Sequence, residues 1–361
     1  MSKRPRPFGR GDPVPWFDAS MAENPRFSLS MLGGHWVVLV FLGRLDLPES
    51  RRFVEQFGGA ELEPREDIFR CAVTMSPNDA KDPQVIRAFP HGRVIGDARA
   101  ELATTYRVAT VADGKAEFVP RWYLLDPSLR VYANGKLDQV GDLITALRQL
   151  PAPDQHFGPD VEPWAPVLLV PRVLEPALCR DLITWHQRGH PVASGFMVTE
   201  GGATVLRADT TVKRRRDVTI DEPNLRAAVR RRIRSRIAPE IAKAFRFEAT
   251  QIERDIVCCY SDEEGGFFRS HRDDTSPGTA HRRFAVTINL NPGEYEGGEL
   301  RFPEYGARLY SPPLGGAVVF SCALLHEVLP VTSGRRYASV PFLYDDAAAR
   351  QRSGFVKSPS S

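Results

Sequence analysis

Apolar runs of strand length alternate with helix-like segments over the first 150 residues. Residues 36–42 form a continuous apolar run, long enough for a buried strand, and a shorter run spans Cys71–Met75. Pro48–Phe57 is polar and compatible with a helix, and the apolar positions between 137 and 150 keep helical spacing. Trp122–Leu125 predicts a strand that leads into a turn. This order of strands and helices predicts a compact α/β domain.

The second half of the chain has a different pattern, in which helices come first and short strands follow. Helical patterns occupy Glu175–His186 and the basic segment that begins at Pro223, where apolar residues recur at every fourth position. Short strands separated by Gly-rich or Pro-rich turns follow at Ile256–Tyr260, Phe284–Leu290, Glu299–Phe302, Ala317–Phe320 and Tyr337–Tyr344. This order predicts a mainly-β barrel or jelly roll with flanking helices.

These patterns divide the chain into four parts. We predict an α/β domain over residues 1–150, a linker rich in Pro, Asp and Gly over 151–164, a mainly-β domain over 165–348 and a disordered tail over 349–361. The length of 361 residues agrees with two domains of ordinary size.

Composition narrows the class of protein. Hydrophobic residues make up 42% and charged residues 26%, as in globular proteins. No apolar run approaches the ~20 residues that span a bilayer, and the basic start leads into no apolar segment of a secretory signal. A net charge of +3 gives no whole-chain field for binding nucleic acid. Five cysteines, two of them adjacent, do not make a disulfide framework, so we expect a cytoplasmic protein.

Three residues of the second half have the chemistry of a metal site. His271 and Asp273 are two positions apart, so on an extended segment their side chains face the same side. His326 follows later, after the apolar strand Ala317–Phe320. Two imidazoles and one carboxylate make a facial triad that leaves metal positions open, as in non-haem Fe(II) oxygenases. Zinc can take the same ligands, but Arg336 would then have no obvious role.

Arg336 lies ten residues after His326. Residues 330–334 predict a turn, and a hairpin there would bring the arginine back beside the metal. A guanidinium fork matches a carboxylate, which suits a cosubstrate that holds iron at one end and carries a carboxylate at the other, such as 2-oxoglutarate. The neighbouring Arg335 would point to the opposite face of an extended segment.

Several motifs of this region resemble, in order and spacing, the core of the prolyl 4-hydroxylase-like Fe(II)/2-oxoglutarate dioxygenases. The resemblance covers roughly residues 165–346. Its motifs are Tyr260-x4-Gly265-Gly266-Phe267-Phe268-x2-His271-x-Asp273, Tyr295-Glu296-Gly297-Gly298-Glu299-Leu300-x-Phe302, Pro313-x-Gly315, and His326-Glu327-Val328-x-Pro330-Val331-x2-Gly334-x-Arg336-Tyr337.

The resemblance implies a double-stranded β-helix in which His271, Asp273 and His326 hold Fe(II). It also implies that Arg336 and Tyr260 bind the distal carboxylate of 2-oxoglutarate, that O2 is the second cosubstrate, and that ascorbate is an option as a reductant. The reaction implied is hydroxylation of an unactivated C–H bond with release of succinate and CO2. The presence of Asp273 favours hydroxylation, because halogenases of this superfamily lack the carboxylate.

The N-terminal half resembles a peroxiredoxin, a family with the thioredoxin fold. The resemblance rests on Gly11-Asp12-Pro13-Val14-Pro15-x-Phe17 and on the segments 36–41 and 122–131. Where that family has a threonine and, three residues later, the peroxidatic cysteine, this sequence has Leu47 and Ser50. A hydroxyl cannot replace a thiolate in attacking peroxide. We therefore predict that peroxidase activity is lost and that the domain serves docking, dimerisation or substrate presentation.

Four further features fit more than one interpretation. The basic stretch Lys213–Arg236 fits a solvated helix face or a surface for an acidic partner, and it lacks the interleaved aromatics of a single-strand binder. One arginine of the run 214–216 is a candidate for holding a substrate carboxylate. His281 fits the surface or a substrate pocket. Cys258 and Cys259 alternate across a strand, so one of them belongs to the core, and a redox role is disfavoured.

The sequence thus predicts a two-domain 2-oxoglutarate-dependent dioxygenase that hydroxylates a small molecule, an amino acid or a peptide. Two alternatives stay open, namely a hydroxylase of a protein side chain and a non-catalytic scaffold that binds a ligand or is redox-linked. A thiol peroxidase is disfavoured by Leu47 and Ser50. Among partners, a homodimer through the N-terminal domain is an option, whereas membranes and nucleic acid are not expected.

Overall fold

The chain forms two compact units. The computed structural model describes residues 6–91, 93–112, 115–158, 161 and 163–356. The first unit is Met1–Pro163 with Pro303–Gly306, and the second is Trp164–Phe302 with Ala307–Ser361. Among the described residues, no helix is both long and apolar enough to cross a membrane.

The described part of the first unit contains short strands and four helices around one central sheet. Its strands are β1 (Asp18–Ala19), β2 (Phe27–Ser28), β3 (Trp36–Gly43), β4 (Ile68–Thr74), β5 (Val94–Gly96), β6 (Ala109–Ala112), β7 (Lys115–Phe118), β8 (Arg121–Leu125) and β9 (Val131–Lys136). Its helices are α1 (Pro48–Gly59), α2 (Pro83–Ala88), α3 (Glu101–Thr105) and α4 (Val140–Arg148).

The central sheet of this unit has the order β5-β4-β3-β8-β9. Strand β3 pairs in parallel with β4 and antiparallel with β8, and all of its residues are buried. Because side chains alternate along a strand, Trp36 and Val38 pack with residues of α1, α2 and α4, whereas Val37 and Leu39 pack in a second core with residues of α3. Both faces of the sheet are therefore covered, and the unit is α/β.

The second unit contains many short strands and four helices. Its strands are β10 (Leu168–Val170), β11 (Val192–Ala193), β12 (Phe196–Glu200), β13 (Ala203–Arg207), β14 (Lys213–Arg214), β15 (Arg216–Thr219), β16 (Gln251–Glu253), β17 (Ile256–Ser261), β18 (Phe267–His271), β19 (Phe284–Asn289), β20 (Tyr295–Gly297), β21 (Leu300–Arg301), β22 (Leu309–Tyr310), β23 (Ala317–Ser321), β24 (His326–Val328), β25 (Val331–Ser339) and β26 (Phe342–Tyr344). Its helices are α5 (Pro176–Arg188), α6 (Pro223–Arg236), α7 (Ala238–Phe245) and α8 (Asp346–Val356).

Two antiparallel sheets form the body of this unit. The larger sheet follows the order β10-β23-β19-β25-β17-β15-β11, and the smaller follows β14-β18-β24-β21-β22. Outward side chains of the larger sheet, such as Val257 and Val286, pack against α5, α6 and α7 in one apolar core. Alternate side chains such as Tyr260 and Thr287 line a cavity together with residues of the smaller sheet. The unit is thus mainly β, as predicted for a jelly roll, with helices outside and a cavity between the sheets.

Helix α6 carries most of the basic stretch noted in the sequence. The Glu222 side chain caps the helix by accepting a hydrogen bond from the backbone N–H of Asn224 at 2.8 Å. Val229 and Ile233 are buried against the sheet. Three arginines of the outer surface form ion pairs with carboxylates of this chain, namely Arg230 with Asp255, and Arg232 and Arg236 with Glu175. These contacts favour the interpretation of a solvated helix face.

The turn predicted at residues 330–334 is wrong. Strand β24 ends at Val328, and Val331 begins β25 almost at once, in the other sheet. The chain therefore crosses between the two sheets instead of folding back on itself. Gly334 lies within β25 at φ +74°, and a Cβ there would stand 2.6 Å from the carbonyl oxygen of Glu294. The glycine that signals a turn in the sequence thus serves a close backbone approach in a strand.

The tail predicted to be disordered from residue 349 begins inside helix α8, which runs to Val356. The Asp345 carboxylate accepts a hydrogen bond from the backbone N–H of Ala348 at 2.8 Å. This cap, followed by the alanines that have the highest helix propensity, accounts for the helix. Residues 357–361 lie outside the described part of the chain.

Candidate active site

The three residues predicted to bind a metal come together at one end of the cavity. One ligand atom from each of His271, Asp273 and His326 lies within 4.8 Å of the others. The Asp273 carboxylate is 3.6 Å from His271 Nε2 through Oδ1 and 3.4 Å from His326 Nε2 through Oδ2. We refer to these three residues as the triad.

Strand register brings the triad together. His271 ends β18 and His326 begins β24, and the two residues are direct partners in this antiparallel pair. Asp273 follows β18 by two residues, and its backbone N–H donates to the carbonyl oxygen of Cys322 at 2.9 Å. Backbone hydrogen bonds therefore hold all three side chains at the same edge of the smaller sheet.

Each histidine of the triad has its outer ring nitrogen fixed. His271 Nδ1 donates to the carbonyl oxygen of Arg269 at 2.8 Å, and His326 Nδ1 donates to that of Leu324 at 2.9 Å. Because a carbonyl oxygen only accepts, the proton of each neutral ring lies on Nδ1 and the Nε2 lone pair faces Asp273. Metal-binding histidines are oriented in the same way in proteins.

The charge state of the triad suits a cation. Burial, and then the proximity of His271, lower the pKa of His326 to about 4. Burial alone would raise the pKa of Asp273, but the nearby His326 and His271 hold this pKa well below its usual range. At neutral pH the triad presents a neutral His326 and an ionised carboxylate. This donor set fits a divalent transition metal.

Arg336 and Tyr260 lie side by side on neighbouring strands. They are direct partners in the pairing of β17 with β25, and the Arg336 guanidinium is 5.4 Å from the centroid of the Tyr260 ring. Arg336 is only 3% exposed and donates to Asn289 Oδ1 at 3.0 Å. Within the described chain it forms no ion pair, so its buried charge has only a neutral amide and an aromatic ring as partners. Such a charge favours an anionic ligand.

A second arginine, Arg215, approaches Tyr260 from the other side. Its guanidinium donates to Tyr260 Oη at 3.3 Å and to Asp217 Oδ2 at 2.7 Å. Its neighbours in the run 214–216 face outward, since Arg216 pairs with Glu264. Arg215 is therefore the member of the run that lines the cavity.

Arg254 also lines this cavity and was not singled out from the sequence. It lies in the short connection between β16 and β17, where a lone arginine has no motif that distinguishes it from a surface residue. The cavity itself is narrow, about 40 Å³, because arginine and aromatic side chains extend into it.

His281 and the paired cysteines lie in the interior. His281 is 2% exposed, and its Nε2 is 2.9 Å from Glu253 Oε2, so the surface interpretation is wrong. Cys258 and Cys259 are both buried, where the sequence required only one in the core. Burial raises the pKa of Cys259 to about 11, so its thiol is inert at neutral pH.

The degenerate peroxidatic position is part of the core of the first unit. Leu47 is the N-cap of α1, and Ser50 in the first turn is fully buried, with its hydroxyl donating to the carbonyl oxygen of Leu42 at 2.6 Å. Burial raises the pKa of Cys71 to about 12. Neither the Ser50 hydroxyl nor the Cys71 thiol is in a position to meet peroxide.

Comparison with known proteins gives one family match and several relatives. Residues 256–344 match the family model described as 2OG-Fe(II) oxygenase superfamily. A PKHD-type hydroxylase from Synechococcus sp. (strain JA-2-3B'a(2-13)) is 32% identical over 94 residues, which are 24% of this chain and 41% of that protein. One from Paracoccus denitrificans (strain Pd 1222) is 41% identical over 85 residues, which are 21% of this chain and 37% of that protein.

The chain spans about two fifths of the length of the curated relatives it matches. The matched segment contains the whole triad together with Tyr260 and Arg336. This segment is therefore similar to the 2OG-Fe(II) oxygenase superfamily.

Two solved structures are similar to parts of this chain. A Pseudomonas putida prolyl-4-hydroxylase covers 49% of this chain and 91% of its own, with 21% identity and a TM-score of 0.37. Peroxidoxin BcpB from Mycobacterium tuberculosis covers 39% of this chain and 97% of its own, with 19% identity and a TM-score of 0.32. Both likenesses are distant.

Proposed function

We propose that this protein is an Fe(II)- and 2-oxoglutarate-dependent dioxygenase that hydroxylates an unactivated C–H bond. In this reaction 2-oxoglutarate, O2 and the substrate R–H give succinate, CO2 and R–OH, so one oxygen atom enters the product and the other enters succinate. The triad carries the proposal, because two oriented imidazoles and one carboxylate meet within a cavity and leave the remaining metal positions free for other ligands.

His271 Nε2, His326 Nε2 and the Asp273 carboxylate would hold the iron. Bound iron supplies the activation of O2, and the protein supplies orientation and exclusion of water. Phe268, Leu300 and Phe320 form apolar parts of the cavity wall. They restrict water around the triad, which protects a reactive centre from side reactions.

Arg336 and Tyr260 would bind the distal carboxylate of 2-oxoglutarate. The guanidinium of Arg336 is buried without a counter-charge, and a carboxylate supplies one. Tyr260 Oη accepts a hydrogen bond from Arg215, so its own proton is free to be donated to a carboxylate oxygen. Because the cavity is only about 40 Å³, binding this five-carbon diacid requires side chains in the cavity to rearrange.

We also propose that the first unit has no thiol peroxidase activity. Ser50 replaces the thiol and is buried in a hydrogen bond to the main chain, while Cys71 is buried in the strand β4. Its role would then be structural, in docking, dimerisation or presentation of substrate to the second unit.

The experiment that tests the dioxygenase proposal is an anaerobic titration of the metal-free protein with Fe(II) and 2-oxoglutarate. The chelate of 2-oxoglutarate on iron has a weak visible charge-transfer band, which we expect in the wild-type protein. Asp273→Ala removes an iron ligand and Arg336→Ala removes the carboxylate partner, so both variants should weaken the band. Arg335→Ala is the matched control, since this exposed neighbour pairs with Glu263 instead.

A folded protein that gives no band under these conditions would contradict the proposal. The scaffold hypothesis would then be favoured, with the cavity binding a ligand without turnover. A band that persists in Asp273→Ala would show that iron is bound elsewhere, and the triad would lose its assigned role.

A further inference from the structure

One wall of the cavity carries more buried positive charge than its carboxylate balances. Lys213, Arg215 and Arg254 surround a single acidic residue, Asp217. The side chains of Arg215 and Asp217 are 4% and 15% exposed, and that of Arg254 is 27% exposed. Lys213 Nζ donates to Ser194 Oγ at 2.7 Å and to the carbonyl oxygen of Gly195 at 2.8 Å, so it has neutral partners of its own. Two guanidinium groups thus share one carboxylate.

The contacts of this cluster are concentrated on one oxygen atom. Asp217 Oδ2 accepts from Arg215 at 2.7 Å, from Ser194 Oγ at 2.6 Å and from Arg254 at 3.5 Å. Asp217 Oδ1 is buried without a hydrogen-bond partner, and so is Arg215 Nε. Buried polar atoms are nearly always satisfied in folded proteins. The surrounding side chains therefore do not satisfy all the hydrogen-bonding atoms of this cluster.

Arg254 is the less compensated of the two arginines. Its contact with Asp217 is long, at 3.5 Å, and it forms no other ion pair within the described chain. Its other neighbour is the Phe342 ring, whose centroid is 5.5 Å away. Since Arg254 lines the same cavity as His271, Asp273 and His326, its charge faces the space where a reacting molecule would enter.

The cosubstrate does not account for this charge. Arg336 lies on β25, on the far side of Tyr260 from Arg215, and is itself buried without a counter-ion. One distal carboxylate of 2-oxoglutarate satisfies Arg336. Besides Asp217, the carboxylate that acts on Arg254 is Asp273, which the proposed function assigns to iron, so a second anionic group would balance the charge of Arg254.

We propose that this wall of the cavity binds a carboxylate of the substrate, with Arg254 as its main contact and Arg215 as a positioning residue, so that the substrate is a small organic acid. An arginine fork matches the two oxygens of a carboxylate. The small volume of the cavity, about 40 Å³, favours a small acid over an acidic protein surface. The binding inference stands on the cluster alone, and its role in hydroxylation rests on the proposed function.

Binding of matched acids and amides to the full-length, metal-free protein tests the inference. The probes are acetate, benzoate and L-proline, each compared with its carboxamide, in buffer free of other carboxylates. The readouts are the rise in melting temperature and the Kd by calorimetry, because a ligand that binds the native state stabilises it by mass action. We expect at least one acid to bind more tightly than its amide.

Variants of Arg254 then locate the site. Arg254→Gln should weaken binding of the preferred acid by about tenfold or more, as for loss of a charged hydrogen bond. Arg254→Lys, which retains the charge without the fork, should recover part of the affinity. Arg335→Gln is the exposed control and should leave the acid's Kd as in wild type. Equal binding of every acid and its amide, or an acid preference that survives in Arg254→Gln, would overturn the inference.

The chelate band separates this inference from the proposed function. A wild-type protein with the band but no acid preference would refute the substrate class and leave the dioxygenase in place. A protein that prefers the acid but gives no band would refute the dioxygenase and leave the substrate class in place. If Arg254→Gln weakens 2-oxoglutarate binding and spares the acids, Arg254 serves the cosubstrate and the inference is wrong.

Discussion

His271 and His326 face each other directly across the antiparallel pair of β18 and β24, with ring centroids 4.2 Å apart. Residues 55 positions apart in the sequence thus become neighbours through strand register alone. Because each Nδ1 is tied to a carbonyl oxygen of its own strand segment, the two Nε2 atoms converge on Asp273. The site is organised by the backbone before any metal arrives.

Replacing Asp273 by alanine should abolish tight binding of Fe(II). The carboxylate is the anionic member of the triad, and its loss leaves only the two imidazoles to hold the cation. We expect an Fe(II) affinity at least ~100-fold lower, beyond the effect of removing an outer partner of a metal ligand. Anaerobic titration measures this, with Asp274→Ala as a control for the adjacent carboxylate. Fe(II) affinity equal to wild type in Asp273→Ala would remove Asp273 from the site.

Replacing Arg336 by glutamine should weaken 2-oxoglutarate without affecting Fe(II). A hydrogen bond to a charged group contributes about 1.5–3 kcal/mol, which corresponds to roughly 10- to 100-fold in Kd. The Kd values for both ligands, measured separately, check this. Arg335→Gln should behave as wild type, because Arg335 points away and pairs with Glu263 at 2.9 Å. A larger effect from Arg335 than from Arg336 would reverse the assignment.

Acid should destabilise the second unit partly through Asp217. Burial raises the pKa of Asp217, but Arg215 and Arg254 outweigh this and lower it from 3.8 to about 2. A depressed folded-state pKa stabilises the fold above the unfolded pKa, and this contribution disappears as pH falls from about 4 towards 2. Its size is about 2 kcal/mol.

Urea unfolding at pH 6 and at pH 3, for wild type and Asp217→Asn, checks this dependence. The variant should be less stable at pH 6, and the difference between the two proteins should shrink at pH 3. A difference that is the same at both pH values would mean that the ionised state of Asp217 does not stabilise the fold.

Restoring a cysteine at position 50 should not restore a peroxidase. The Ser50 side chain is fully buried and its hydroxyl donates a hydrogen bond to the carbonyl oxygen of Leu42. A thiol at this position would be shielded from peroxide, and burial would raise its pKa. We expect Ser50→Cys, alone or with Leu47→Thr, to consume hydrogen peroxide no faster than wild type. Rapid consumption by either variant would show that this position opens to solvent.

Short-range patterns predicted much of the fold. The apolar run 36–42 is the buried strand β3, and the cap at Glu222 starts α6 where Pro223 indicated. The triad could be found because its residue types and spacing are unusual together. The mainly-β character of the second unit followed from the succession of short strands separated by Gly-rich or Pro-rich turns.

What the sequence missed depends on contacts between distant segments. Gly334, four residues after Pro330, indicates a turn, yet the chain crosses between sheets there. The positive φ and the close approach to Glu294 explain the glycine. No sequence motif distinguishes Arg254, because its role depends on the cavity that it lines and on its contact with Asp217, which lies on β15. His281 was ambiguous for the same reason, since its partner Glu253 is distant in sequence.

Formation of succinate is the measurement that tests the central claim most directly. Protein loaded anaerobically with Fe(II) and 2-oxoglutarate is exposed to O2, and succinate is quantified against Asp273→Ala protein given the same concentrations of Fe(II) and 2-oxoglutarate. We predict succinate from wild type, slow without substrate and faster with the acid it prefers, and none above background from the variant. Equal succinate from both proteins, or none from a folded and iron-loaded wild type, would contradict the account.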